Sequence, residues 1–211
     1  MPAEVTESQF DAALSTASYP AVGYLHAPLP VVDPLDAYDA LTAASPHGFL
    51  LESGAKTASS DPDGAFVRDG STAPHARYSY IGIDPIATIA ITGKSIDIDV
   101  HTPRYEELFA DLHTTAGDVD GDVLDRLRAI VAPFDTSAIP ETPPYRFTGG
   151  LVGFLSYEAV YDIWLEEVGV GRPDAPRPDA VFALTTMTIA VDHHAEEAAL
   201  IHTPLVTSPG M

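Results

Sequence analysis

Phe49-Leu50-Leu51-Glu52-Ser53 is three apolar residues closed by a carboxylate and a hydroxyl. A short apolar run of this kind predicts a buried strand whose last two side chains reach a cavity or a sheet edge. Two later segments share the character: Arg77-Tyr78-Ser79-Tyr80-Ile81-Gly82, and the run from Phe147 through Gly149-Gly150-Leu151-Val152-Gly153 to Glu158. The remainder of the chain reads as scaffold around these three runs.

Working outward, residues 6–17 predict a helix. Thr6 and Gln9 suit a capping box, and Phe10, Ala13, Leu14 and Ala17 make one apolar face. Residues 20–32 hold three prolines and are expected to be extended, with pairing limited to a sheet edge. Asp33 as N-cap and Pro34 in the first turn open a second helix, with Leu35, Tyr38, Leu41 and Thr42 as its buried stripe. Residues 54–76 read as a long polar loop. Arg77–Ile83 is a strand. Ile86–Thr92 and Ser95–Val100 make a hairpin about Gly93-Lys94, with Asp97 and Asp99 on its polar face.

Helices follow at about 104–113 and 121–132. The second turns Val123, Leu124, Leu127, Ile130 and Val131 inward and Asp122, Asp125, Arg126 and Arg128 outward. Residues 133–144 form a linker. Then come a strand at 149–157, a short helix through Trp164, a loop at 169–178 and one long strand at 181–192 with a partner at 198–202. The tail after residue 203 is short and polar, with no capping element. Strands in blocks with helices between them predict an α+β fold, a mainly antiparallel sheet or sandwich with flanking helices.

With 211 residues, 45% of them hydrophobic, the chain can bury one substantial core or two small ones. It has no apolar run of membrane-spanning length, and Met1-Pro2-Ala3-Glu4-Val5 is not a secretory signal. A cytoplasmic protein is the expectation. The absence of cysteine excludes disulfides, thiolate metal sites and a thiol nucleophile. Thirty-one acidic residues against ten basic ones give a net charge of −21. Such a surface repels nucleic acid and anionic membrane, so neither is an expected partner. The acidic residues are dispersed and only Lys56 and Lys94 are lysines. This suits concentrated salt, where the Debye length is about 3 Å at 1 M.

Few motifs carry chemistry. Gly93-Lys94-Ser95 imitates a phosphate-binding loop, but position 88 is Thr and a strand follows, so it reads as a hairpin turn. The 149–153 glycines lack dinucleotide spacing. They mark either a backbone passing close to a ligand or tight strand packing, the latter favoured. No histidine pair has metalloprotease spacing, and His193 and His194 point to opposite faces of a strand. Glu52 and Ser53 follow an apolar triplet and are expected to be at least partly buried. The carboxylate then needs a partner, either an internal cation (Lys56 or Arg77) or a ligand ammonium. From the residues alone both remain open.

Taken together, the three runs resemble the N-terminal domain of the large subunit of anthranilate synthase, among the chorismate-utilising enzymes. Leu50-Leu51-Glu52-Ser53 looks like that family's tryptophan-binding motif. Ala76–Pro85 looks like its "ARYSFIG.DP" segment, and Phe147–Glu158 like its "F.GGLVGY.SYD" segment, with Phe154 for Tyr and Glu158 for Asp. The resemblance covers about residues 20–203. It implies one domain over 1–211, an incomplete half of the large-subunit fold. It implies that Ser53, with Leu51 and Glu52 beside it and Lys56 adding to it, binds L-tryptophan as feedback inhibitor. The family's catalytic groups and Mg²⁺-binding glutamates belong to a C-terminal chorismate-binding domain, so no catalytic residue or metal ligand is expected in this chain. The implied partners are that missing domain and a glutamine amidotransferase subunit. The sister enzyme aminodeoxychorismate synthase, and a non-catalytic amino-acid-binding module or truncated fragment, are the alternatives.

Overall fold

A computed structural model describes residues 5–43, 47–52, 77–166, 168–171 and 177–208. Helix α1 spans Glu7–Leu14, and the Thr6–Gln9 capping box is formed. Strands β1 (Ala21–Val22) and β2 (Leu25–Leu29) follow. Helix α2 (Pro34–Thr42) starts where Asp33 accepts the N–H groups of Leu35 and Asp36. It packs on β3 (Gly48–Glu52) and β4 (Tyr78–Ile83). Leu35, expected in its buried stripe, is 55% exposed. The helix turns Pro34, Tyr38, Leu41 and Thr42 to the sheet instead.

The hairpin is β5 (Ala87–Thr92) and β6 (Ser95–Val100), with Gly93 at positive φ in its turn. A 3₁₀ turn at Pro103–Tyr105 leads to α3 (Glu106–Gly117) and α4 (Val123–Val131). Then come β7 (Gly150–Leu155), a π-helix (Tyr161–Leu165), β8 (Ala180–Thr185), β9 (Met187–Asp192), β10 (Glu197–His202) and β11 (Leu205–Val206). Among the described residues all pairs of these strands are antiparallel, in keeping with the α+β reading, with one isolated parallel bridge from Ala21 to Asp135. The orders are β2-β10-β9-β4-β3, β6-β5-β8-β7 and the short pair β1-β11. Pro28 sits in β2, an edge strand, where its missing N–H costs no ladder bond.

The single long strand expected at 181–192 is two strands in two different sheets. The chain turns at Thr185–Thr186. The Thr185 hydroxyl donates to the Met187 carbonyl, and the Thr186 carbonyl accepts the Thr203 N–H at 2.8 Å. An apolar run buried from both sides has no alternation to betray such a switch. The tail also differs from expectation. Leu205 and Val206 are buried and pair with β1.

The four-stranded sheet buries one face under α3 and α4, through Ile89, Ile91, Ile96, Val123, Ile130 and Ala180. Arg126, expected on the outer face of α4, is 1% exposed, because it reaches Asp162 of the π-helix at 3.3 Å. The five-stranded sheet carries an aromatic cluster of Tyr24, Tyr80 and Tyr145 around Ala190, Ala199 and Ile201.

Candidate site at the open end of β3

Among the described residues β3 pairs only with β4, which makes it an edge strand there. The register places Phe49 opposite Gly82, Leu51 opposite Tyr80 and Glu52 opposite Ser79. The first and second sequence runs are thus neighbouring strands. The third joins them through Phe147, which meets Tyr80 edge-on at 5.5 Å and Phe49 at 6.1 Å between ring centroids. The Phe147 N–H donates to the Tyr80 hydroxyl at 3.4 Å. Phe49 lies across β4 because position 82 is glycine, where any Cβ would overlap the Phe49 ring.

The expected burial at the end of β3 is not found. Leu51 is 44% exposed and Glu52 is exposed as well. An edge strand has a neighbour on one side only, and its last two residues stand open to solvent. Ser53 and Lys56 lie outside the described residues, so the proposed ligand set is seen only through Leu51 and Glu52.

Arg77 is not the partner of Glu52. Its guanidinium grips Asp192 of β9, with Nε 3.0 and 2.9 Å from the two carboxylate oxygens and an Nη 2.6 Å from one of them. Asp192 also accepts the N–H groups of His194 and Ala195. Burial alone would push this carboxyl up, but the Arg77 guanidinium and those two N–H groups outweigh it and hold it below its ordinary range. Glu52 makes no hydrogen bond or ion pair with another described residue. Next to it, the Ser79 hydroxyl lies 2.7 Å from Nε2 of His193. Among the described residues, the end of the sheet therefore offers an accessible carboxylate without a partner beside a Ser–His pair and an Arg–Asp clasp.

The glycines of the third run divide between the two readings. A Cβ at Gly153 would overlap the backbone of Val181 in β8, and one at Gly149 would lie 2.6 Å from the Thr203 hydroxyl, which is tight strand packing. Gly149 and Gly150, both at positive φ, also line an apolar cavity of about 170 Å³ with Ile130, Phe134, Leu151 and Leu184. A second hollow of about 400 Å³ opens between β3 and the outer face of the four-stranded sheet, touched by Phe49, Gly82, Val152, Phe154 and Val181. Among the described residues no group of three or more His, Asp or Glu is placed to hold a metal ion.

No family model matches the chain. Curated relatives do. A protein of Haloarcula marismortui named anthranilate synthase component 1 2 is 48% identical over 181 residues, 83% of this chain and 32% of its own length. Anthranilate synthase component 1 of Haloferax volcanii is 44% identical over 97% of this chain and 38% of its own length. That of Halobacterium salinarum, component 1 1, is 46% identical over 88% of this chain and 36% of its own length. The chain is a homologue of part of anthranilate synthase component 1. It spans about a third of the length of these curated relatives.

Set beside this homology to anthranilate synthase component 1, the three runs that carry the family likeness are the ones that meet at β3, β4 and Phe147. Sequence reasoning missed the Arg77–Asp192 clasp. Asp192 lies 115 residues from Arg77, and on a chain with 31 acidic residues no spacing singles it out. Tyr145, which packs edge-on against Tyr78 at 6.2 Å, carried no motif either.

Proposed function

We propose that the chain is the N-terminal, tryptophan-binding part of an anthranilate synthase component I, working in tryptophan biosynthesis in concentrated salt. The observation that carries this reading is the 44–48% identity over most of the chain to halophilic archaeal proteins of that name. In this reading the tryptophan ammonium pairs with Glu52, Ser53 hydrogen-bonds the amino acid, Lys56 supplies a cation for its carboxylate, and Leu51 gives the indole an apolar surface. The free carboxylate of Glu52 at an open strand end supports it, since an ammonium meets no competing internal partner among the described residues. Bound tryptophan would then bias the complete enzyme by a coupling free energy of typically ~1–3 kcal/mol.

The complete enzyme would convert chorismate and ammonia to anthranilate and pyruvate, the ammonia coming from a glutamine amidotransferase subunit. Its Mg²⁺ and its acid–base groups would be held by polypeptide outside this chain. No described helix is long and apolar enough to cross a membrane, and the acidic surface fits a cytoplasmic protein that binds no nucleic acid. Purified chain supplied with chorismate, Mg²⁺ and ammonium in molar KCl is expected to form no anthranilate. Measurable turnover by the chain alone would overturn the assignment of a purely regulatory part.

A further inference from the structure

The cavity of about 170 Å³ beside Gly149 and Gly150 lies between α4, the start of β7 and the turn at Thr185–Thr186. Among the described residues it shares no lining residue with β3 or β4. Its walls are Ile130, Phe134, Leu151 and Leu184, carbon side chains from α4, the segment after it, β7 and β8. Close-packed interiors leave few voids larger than a water molecule, and a large one costs stability in proportion to its volume. An apolar cavity of about 150 Å³ walled by Leu, Ile and Phe stays dry and accepts a benzene ring. Gly150 of the third run stands at this cavity although packing does not demand a glycine there. A Cβ on it would meet nothing within 4 Å, whereas one on Gly149 would lie 2.6 Å from the Thr203 hydroxyl. Its φ of +111° is what requires glycine, so β7 enters its sheet with no side chain at the cavity's edge. Thr185 and Thr203 border the same cavity. The Thr185 hydroxyl donates to the Met187 carbonyl at 3.0 Å, and the Thr203 hydroxyl to the Thr186 carbonyl at 3.4 Å. Each has committed its proton, so each can only accept from a group placed beside it.

We propose that this cavity is a binding site for a neutral, single-ring aromatic molecule carrying one O–H or N–H donor. The volume sets the size, since one six-membered ring suits a cavity of about this volume. The apolar walls select the ring, and the two threonine acceptors select the donor substituent. An anion is excluded. A buried carboxylate needs a cationic partner, and no Lys or Arg lines the cavity among the described residues. The net charge of −21 adds to that exclusion. The site is separate from the one proposed for tryptophan, because a zwitterionic amino acid would bring two charges that nothing in these walls compensates.

The test uses the full chain in molar KCl, with phenol as probe, toluene as its isostere without a donor, and benzoate as the anion. Titrations followed by NMR should show saturable one-to-one binding of phenol and no saturable binding of benzoate. Nuclear Overhauser contacts should run from the phenol ring protons to the methyl groups of Ile130, Leu151 and Leu184. Thr203→Val removes one acceptor with little change of shape; it should weaken phenol by about fivefold and leave toluene unchanged. Leu184→Phe puts a ring into the cavity and should abolish binding of both, with cooperative melting showing that the variants are folded. Three results overturn the proposal: phenol that does not saturate or that contacts other methyl groups, benzoate that binds as tightly as phenol, or a Thr203→Val chain in which phenol is not weakened more than toluene. The first two are read on the wild-type chain, so they stand even where a variant fails to fold. None of them touches tryptophan binding at β3, and the two readings fail separately.

Discussion

Asp192 holds three partners at the end of the five-stranded sheet, and its carboxyl is held below the ordinary carboxylate range, burial being outweighed by Arg77 and two N–H groups. A carboxyl depressed in the folded state stabilises above its unfolded pKa, about 4, and loses that contribution as pH falls through the folded value. Denaturant titrations in molar KCl should therefore show the chain losing stability on acidification below about pH 4. Asp192→Asn should lower stability at neutral pH by ~1–3 kcal/mol and flatten that acid limb, since Arg77 loses its charged acceptor. An unchanged acid limb in the variant would mean that other carboxylates dominate it. Glu52, by contrast, is exposed and unpaired among the described residues. Its worth to stability is small, which leaves it free for a ligand.

At the scale of elements, the Arg126–Asp162 pair ties α4 to the π-helix. Its side chains are 1% and 10% exposed. Burial pushes the Asp162 carboxyl up, against the opposing pull of Arg126. Breaking such a pair from one side leaves an uncompensated buried charge. Arg126→Met should therefore destabilise by ~3–5 kcal/mol, and Arg126→Met with Asp162→Leu by clearly less. The single variant should recover stability as pH falls, because a carboxyl raised in the folded state favours the protonated form. A double-mutant cycle by chemical denaturation reads all three values; additive effects would contradict the coupling.

The same scale shows what was legible in the sequence. Caps with a local mechanism, Thr6–Gln9 and Asp33-Pro34, could be read directly, as could the Gly93 hairpin and the alternation of Ile96–Val100. What escaped depends on partners distant in sequence. The turn at Thr185–Thr186 is held by Thr203, the inward Arg126 answers to Asp162, and the Leu205–Val206 strand needs β1. At the site, the three runs could be found and their meeting is real. The burial of Glu52 was misjudged because nothing in Phe49–Ser53 says that β3 is an edge strand.

At the scale of the molecule, β3 and β7, each at a sheet edge among the described residues, both line one hollow, and the aromatic contacts of Phe49, Tyr80 and Phe147 join the motifs beside it. A net charge of −21 burdens any compact state unless salt screens it, which fits the halophilic origin of the relatives. In our account this end of the molecule is where an amino acid is sensed. The most direct measurement is calorimetric titration of L-tryptophan into the full chain in molar KCl, with cooperative melting first establishing that the chain is folded. We predict saturable one-to-one binding, weakened at least about tenfold by Ser53→Ala and by Glu52→Gln, the cost of losing one hydrogen bond to a charged group. A folded chain that gives no saturable heat, or binding indifferent to both substitutions, would contradict it.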